Sequence, residues 1–350
     1  MGAVLTDHGW SPAATALWLA VIPAGRMVLL PLWARLADAV GAARVLMGSV
    51  VGSTACAAVL LGVDGPWLAV GTILAWSWAR APAGPIVDAS SVDRLGTGYG
   101  RVRAVGSVAY LALCAVGGVL RDVWRPAPIA LCVGLSVATL AISLPLAPRL
   151  DAAAPPPGPG AWRALVRHPV LAPLAAVSLL HGAAIATSDN LLAVHVEQLA
   201  LPASVTGTGI ALGVGVEVVV LGFGAPLLER VGARTLLLLA VASSIPRYAL
   251  TAASTDPAVI AGAQSLHGLG FGAFWLASTG LFARHAPPGL RYSAQAMLPA
   301  AMFGAGPVLG LTVATAVLRA GATTAGAFGA ACALAVTATL LLLAVLARLR

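Results

Sequence analysis

Seven ionisable side chains interrupt long apolar runs: Arg26, Arg80, Arg247, Glu217, Asp189, His181 and His267. A charge at the centre of a bilayer costs a few kcal/mol, so each needs a partner or a task. Arg26 and Glu217 lie near the middle of their runs and have opposite signs; they read as a charge pair or as a site group each. A carboxylate in such a setting is a natural proton carrier, because desolvation favours its protonated form and a nearby guanidinium opposes that. His181 precedes Asp189 by two turns, which leaves them about 80° apart around a helix, so both could border one cavity with Asp189 nearer its mouth. Gln264, His267, Phe271 and Trp275 recur at steps of three, four and four, one helical face that includes polar groups and reads as pore-facing. Trp76 and Arg80 stand one turn apart in the corresponding earlier run. Arg80 could snorkel towards headgroups or hold an anionic solute. Arg247 follows Pro246, where Ser243 and Ser244 could satisfy the opened backbone, and reads as structural or gating.

Other chemistry is excluded or disfavoured. All twenty basic residues are arginine, so no Walker A lysine exists and ATP-driven transport by this chain alone is ruled out. HExxH and GxSxG do not occur. Gly268-x-Gly270-x-Gly272 lies inside an apolar run with no strand before it, which favours close helix packing over a dinucleotide loop. Cys56, Cys114, Cys132 and Cys332 are scattered through apolar runs without metal or redox spacing and read as small core residues. No metal or organic cofactor is expected; the proton is the expected coupling ion.

The elements that must position these residues are membrane helices. The chain is 59% hydrophobic and 9% charged, with mean hydropathy +0.94, far from the roughly 25% charge of soluble domains. Eleven apolar runs are long enough to span a bilayer, at about 12–36, 43–63, 66–88, 102–120, 126–147, 169–194, 203–228, 234–254, 257–283, 290–318 and 323–347. Between them lie turn signals: Asp64-Gly65-Pro66, Arg125-Pro126, Asp256-Pro257 and Pro287-Pro288-Gly289. Residues 148–168, rich in Pro, Gly and Arg, form a linker between an N-terminal half (1–147, five helices) and a C-terminal half (169–350, six). Fourteen arginines fall in alternate loops or at the C-terminus, and three (Arg121, Arg125, Arg319) in the opposite loops. This places the C-terminus in the cytoplasm, in a multi-pass protein of the cytoplasmic membrane. The same topology explains the net charge of +8 without nucleic acid. The halves repeat: one offset carries Arg26 to Glu217, Asp38 to Glu229 and Gly41 to Gly232. The run at 169–194 has no counterpart in the first half, so a further helix is expected upstream.

The segment PIVDASSVDRLGTGYGRVRAVGSVAY, from Pro85 to Tyr110, resembles the phenylpropionate-permease branch of the major facilitator superfamily, which is similar to the lactose and nucleoside proton symporters. Leu212-Gly213-Val214 with Glu217-Val218, Arg247-Tyr248, Leu266-His267-Gly268, Arg291 and Gln295 resemble that branch's later helices. The superfamily's Gly-x-x-x-Asp-x-x-Gly-Arg loop is met by Asp38 and Gly41, with Ala34 in its first place and the arginine displaced to Arg44. The resemblance implies an all-α, two-half helical bundle without the family's first helix. It implies alternating access with proton symport of a small organic solute such as a carboxylate, sugar or nucleoside. Arg26 and Glu217 would lie along the contact between the halves, and Asp38, Asp88, Arg101 and Arg103 would form inter-helix ion pairs at an inner gate. The expected partners are the solute and the bilayer, and the expected state is a monomer. The alternatives are proton-coupled efflux of drug-like compounds, and a non-transporting receptor or inactive remnant.

Overall fold

The computed structural model describes residues 12–124, 126–146, 161–202 and 204–348. Among them every regular element is helical. In chain order these are α1 (Pro12–Val40), α2 (Ala42–Leu60), α3 (Pro66–Ala79), α4 (Ala83–Leu95), α5 (Tyr99–Val123), α6 (Ala127–Leu146), the short α7 (Ala161–Val166), α8 (Leu171–Gln198), α9 (Ser204–Gly222), α10 (Gly224–Val231) and α11 (Ala233–Ala253). Then come α12 (Pro257–His285) and α13 (Arg291–Arg319), each interrupted by a wider turn, and α14 (Thr324–Arg348). Seven of the described helices are long and apolar enough to cross a membrane. Each of the eleven apolar runs corresponds to a helix or a broken pair: 66–88 divides into α3 and α4, and 203–228 into α9 and α10. Most of the linker, 148–160, lies outside the described residues.

The turn signals act as their chemistry dictates. Pro66 and Pro257 begin their helices, where a missing N–H costs nothing. The Asp256 carboxylate accepts from Ala258 N at 2.8 Å and caps α12. Pro82 separates α3 from α4. Gly41 and Gly232 join helices at φ 101° and 79°, a region costly for any residue with a Cβ. They are partners under the sequence repeat, so the repeat extends to backbone geometry.

The chain forms two compact units. The first comprises Met1–Ser90, Ala109–Trp162 and Pro287–Ala300, and the second Ser91–Val108, Arg163–Ala286 and Ala301–Arg350. In the first unit α2 packs against α3 and α6, and α1 against the opening segment of α13. Its core has one cluster around Ile22, Leu60, Val70 and Ile73 and another around Ala37, Val45, Ile86 and Tyr292. In the second unit α8 packs on α14 and the closing segment of α13, α11 packs on α14 and α12, and α9 on α12. Leu192, Val196, Tyr248, Ile260 and Phe328 form its centre. Close approach there depends on glycine: a Cβ on Gly182 would meet Met302 O at 2.3 Å, and one on Gly310 would meet Ala183 O at 2.1 Å.

Candidate functional site: a buried polar chain beside an aromatic stack

Helices α9 and α12 set the site. A Cβ at Gly213 would lie 2.8 Å from Gln264 O, and one at Gly268 would lie 2.3 Å from Glu217 N. The two backbones therefore touch where Glu217 and His267 sit. This is the packing role expected for the Gly268–Gly272 stretch.

Glu217 is buried at 5% exposure. Its Oε1 accepts from Ser107 Oγ at 2.7 Å, and Ser107 Oγ accepts from Arg103 Nη1 at 3.4 Å. Its Oε2 lies 4.0 Å from His267 Nε2. On the other side of the ring, Arg247 Nη1 is 3.1 Å from His267 Nδ1. A guanidinium can only donate, so Nδ1 accepts and the neutral ring carries its hydrogen on Nε2, facing Glu217. The 4.0 Å gap is too long for a hydrogen bond. One water or a small rotation would close it, which is enough for proton exchange.

Arg247, buried at 4% exposure, anchors the far end. It donates to Gln264 Oε1 and to Ser188 Oγ, both at 3.0 Å, and lies 3.9 Å from the half-exposed Asp189 carboxylate. Gln264 Nε2 then donates to Thr251 Oγ1 at 3.1 Å. The sequence so runs Arg103, Ser107, Glu217, His267, Arg247, Asp189. With both carboxylates ionised and the imidazole neutral, its formal charges balance; one added proton leaves it cationic.

An aromatic stack runs alongside. His267 and Phe271 are stacked with centroids 5.5 Å apart, and Phe271 and Trp275 at 6.0 Å. Phe303 packs on Trp275 at 5.5 Å. Arg103 Cζ lies 5.8 Å from the Trp275 centroid, within cation–π range. Trp275 Nε1 donates to Tyr99 Oη at 2.9 Å. Two π-helical turns, Leu269–Ala273 and Ala301–Ala305, carry Phe271 and Phe303. A π turn rotates less per residue than an α turn, which keeps side chains four apart over one another. The first of them frees Gly270 O, which takes the Nε2–H of His181 at 2.8 Å. A cavity of about 300 Å³, lined by Tyr99, Glu229, Thr279 and Arg284 among others, opens on the other side of Tyr99.

Over residues 1–345 the sequence matches the model of the MFS_1 like family. The chain belongs to that family. No curated protein gives a sequence match. The fold is similar to the human organic anion transporter MFSD10 (TETRAN), with TM-score 0.79 and 15% identity over 97% of this chain and 87% of that one. It is also similar to a bacterial homologue of the iron transporter ferroportin in its outward-facing state, with TM-score 0.73 and 16% identity over 98% and 92%. A third neighbour is the nucleoside transporter NupG, with TM-score 0.62 and 17% identity over 98% and 90%. The protein is a multi-pass membrane transporter of the major-facilitator type.

Within this MFS_1-like chain the structure gathers Glu217, His267, Gln264, Phe271, Trp275, Arg103, Arg247 and Asp189 in the second unit. His181 belongs there too, but it is fully buried, tied to Gly270 and packed on Phe274 at 4.5 Å. Among the described residues it shares no hydrogen-bond partner with Asp189. Arg26, Trp76 and Arg80 belong to the first unit, where Arg80 Cζ lies 4.8 Å from the Trp76 ring. Asp38, also in the first unit, accepts from the backbone N–H groups of Tyr292 and Ser293, both at 2.9 Å, and from the Ser293 hydroxyl. A carboxylate is thereby held at the N-terminus of α13, where the helix dipole favours it. Arg291 donates to Ala89 O at 2.9 Å. Asp88 is half-buried on α4, and Arg101 is exposed on α5. Gly41 supplies the left-handed link described above.

Four participants escape sequence reasoning. Ser107 and Ser188 carry no signal as hydroxyls in apolar helices. Tyr99 lies within the Pro85–Tyr110 segment, where its residue type announces no role. Phe303 reaches the stack through a π turn that no local pattern announces.

Proposed function

We propose that the protein is a proton-coupled secondary transporter of a small organic solute, working by alternating access in the cytoplasmic membrane with its C-terminus inside. The observation that carries this reading is Glu217: a carboxylate on an apolar helix, buried, held by one hydroxyl and facing the Nε2–H side of His267. Burial makes its protonation responsive to the groups around it, and each is on a different helix: Ser107 on α5, His267 on α12, and Arg247, through His267, on α11. Relative movement of those helices changes the proton affinity of Glu217, which is the linkage a symporter requires. Phe271, Trp275 and Phe303 supply an apolar wall for the solute, and Arg103 and Tyr99 supply donors at its edge. Similar folds serve transporters of organic anions and of nucleosides, so organic solutes are within the reach of this architecture. The test uses the full chain in proteoliposomes and a solute found by screening labelled carboxylates, nucleosides and sugars. Glu217→Gln should abolish uphill uptake driven by a pH gradient and leave solute exchange intact. Normal pH-driven uptake by that variant would refute the role of Glu217.

A further inference from the structure

Arg26 and Arg80 are two cations with no counterion among the described residues. Arg26 sits in the middle of α1, and its Nε is buried without a hydrogen-bond partner. Arg80 caps the C-terminal end of α3. The two helices meet just beside them: a Cβ on Gly25 would lie 2.2 Å from the indole nitrogen of Trp78, and that indole donates to Ile22 O at 3.4 Å. Arg26 is the next residue along one helix, and Arg80 follows Trp78 by two on the other. The charge of Arg80 bears on Arg26 accordingly. Neither arginine forms an ion pair among the described residues, and the Asp38 carboxylate is committed to Tyr292 and Ser293.

A structural role accounts for only part of this. A cation at the end of α3 is favoured by the helix dipole, and its stacking on Trp76 is favourable as well. Neither explains a second guanidinium beside it in the middle of an apolar helix, where like charges repel and Arg26 pays for desolvation. An arrangement of two guanidiniums with free donors and an aromatic face is what recognition of an anion requires.

We propose that Arg26 and Arg80 form an anion subsite in the first unit, so that the transported solute carries a carboxylate or phosphate group, with Trp76 beside it for an apolar portion. This rests on the reading of the chain as a transporter of a small organic solute. The same chemistry could instead be met by an anionic lipid headgroup, since Arg80 is exposed.

The test is equilibrium binding to the full-length protein in a neutral detergent, with no pH gradient, read as a shift in melting temperature. The probes are benzoate, succinate and glycerol phosphate, each against its neutral counterpart: benzamide, succinamide and glycerol. At least one anion should stabilise the protein where its neutral counterpart does not. Arg26→Gln and Arg80→Gln should each weaken that response about tenfold or more, as expected for loss of a charged hydrogen bond. Arg26→Lys, which keeps the charge, should retain most of it, and serves if the glutamine variant does not fold. No anion-specific response from any probe overturns the proposal, as does an equal response in the arginine variants. Stabilisation by added phosphatidylglycerol alone also overturns it, in favour of a lipid site. Proton-independent uptake with an intact anion response would sink only the earlier reading; proton-coupled uptake without an anion response would sink only this one.

Discussion

In the second unit Arg247 uses its guanidinium on Gln264, Ser188 and His267, with Asp189 close by. In the first unit Arg26 has a buried Nε with no partner and another arginine for a neighbour. The sequence around Arg26 repeats in the second unit, and both copies end on a glycine of positive φ, Gly41 and Gly232, yet the repeat position of Arg26 holds Glu217. The repeat has thus kept the scaffold and changed the charge. One unit holds a network whose formal charges nearly balance. The other holds positive charge that the described protein does not neutralise. Self-sufficient and incomplete charge sites should respond oppositely to mutation.

The largest effect should come from Arg247. Arg247→Ala leaves buried Gln264 and Ser188 and part-buried His267 without their donor, a loss of about 1–3 kcal/mol. It should show as a large fall in melting temperature of the purified full-length protein. Arg26→Gln, measured in the same way without added anions, should be neutral or stabilising, because it removes an uncompensated charge. Equal destabilisation by the two changes would erase the contrast.

Next comes the contact that brings Glu217 to His267. Gly213→Leu inserts a side chain where α9 touches α12, and should cost about 1–3 kcal/mol. It should also lower pH-driven uptake more than exchange, because it parts the two groups. A smaller effect is expected at the cap of α13. Asp38→Asn keeps the shape but weakens the acceptor, for a loss of about 1 kcal/mol, readable as a modest melting shift.

The smallest effect concerns the cap of α8. His168 Nδ1 lies 3.2 Å from the N–H groups of both Val170 and Leu171 and accepts from them. Burial, then the neighbouring His285, hold this imidazole below the usual histidine range. Its folded pKa is therefore the lower one, so its contribution is present above the unfolded value of about 6.5 and lost as pH falls below it. Wild type should lose slightly more stability than His168→Asn between pH 7.5 and 5.5.

Much of this was legible in sequence. Long apolar runs separated by Gly and Pro mark every helix but the short α7, which forms at the end of the stretch read as a linker. The three- and four-residue steps from Gln264 to Trp275 gave the face that carries His267 and the stack. The long-range partnerships were not legible. Ser107 meets Glu217 across 110 positions, and hydroxyls in apolar helices look alike whichever way they face. Asp38 takes backbone N–H groups more than 250 residues away, whereas the family resemblance implies an inter-helix ion pair there. Helix periodicity reports which face a residue shares, not which helix covers it.

The proton on Glu217 is the centre of the account, and infrared difference spectroscopy on the full-length protein in lipid observes it most directly. Titrating pH with and without solute should reveal a protonated carboxyl band whose midpoint moves on solute binding and which disappears in Glu217→Gln. A titrating band that survives in Glu217→Gln, or a Glu217 whose ionisation is indifferent to solute, would contradict the proposed coupling.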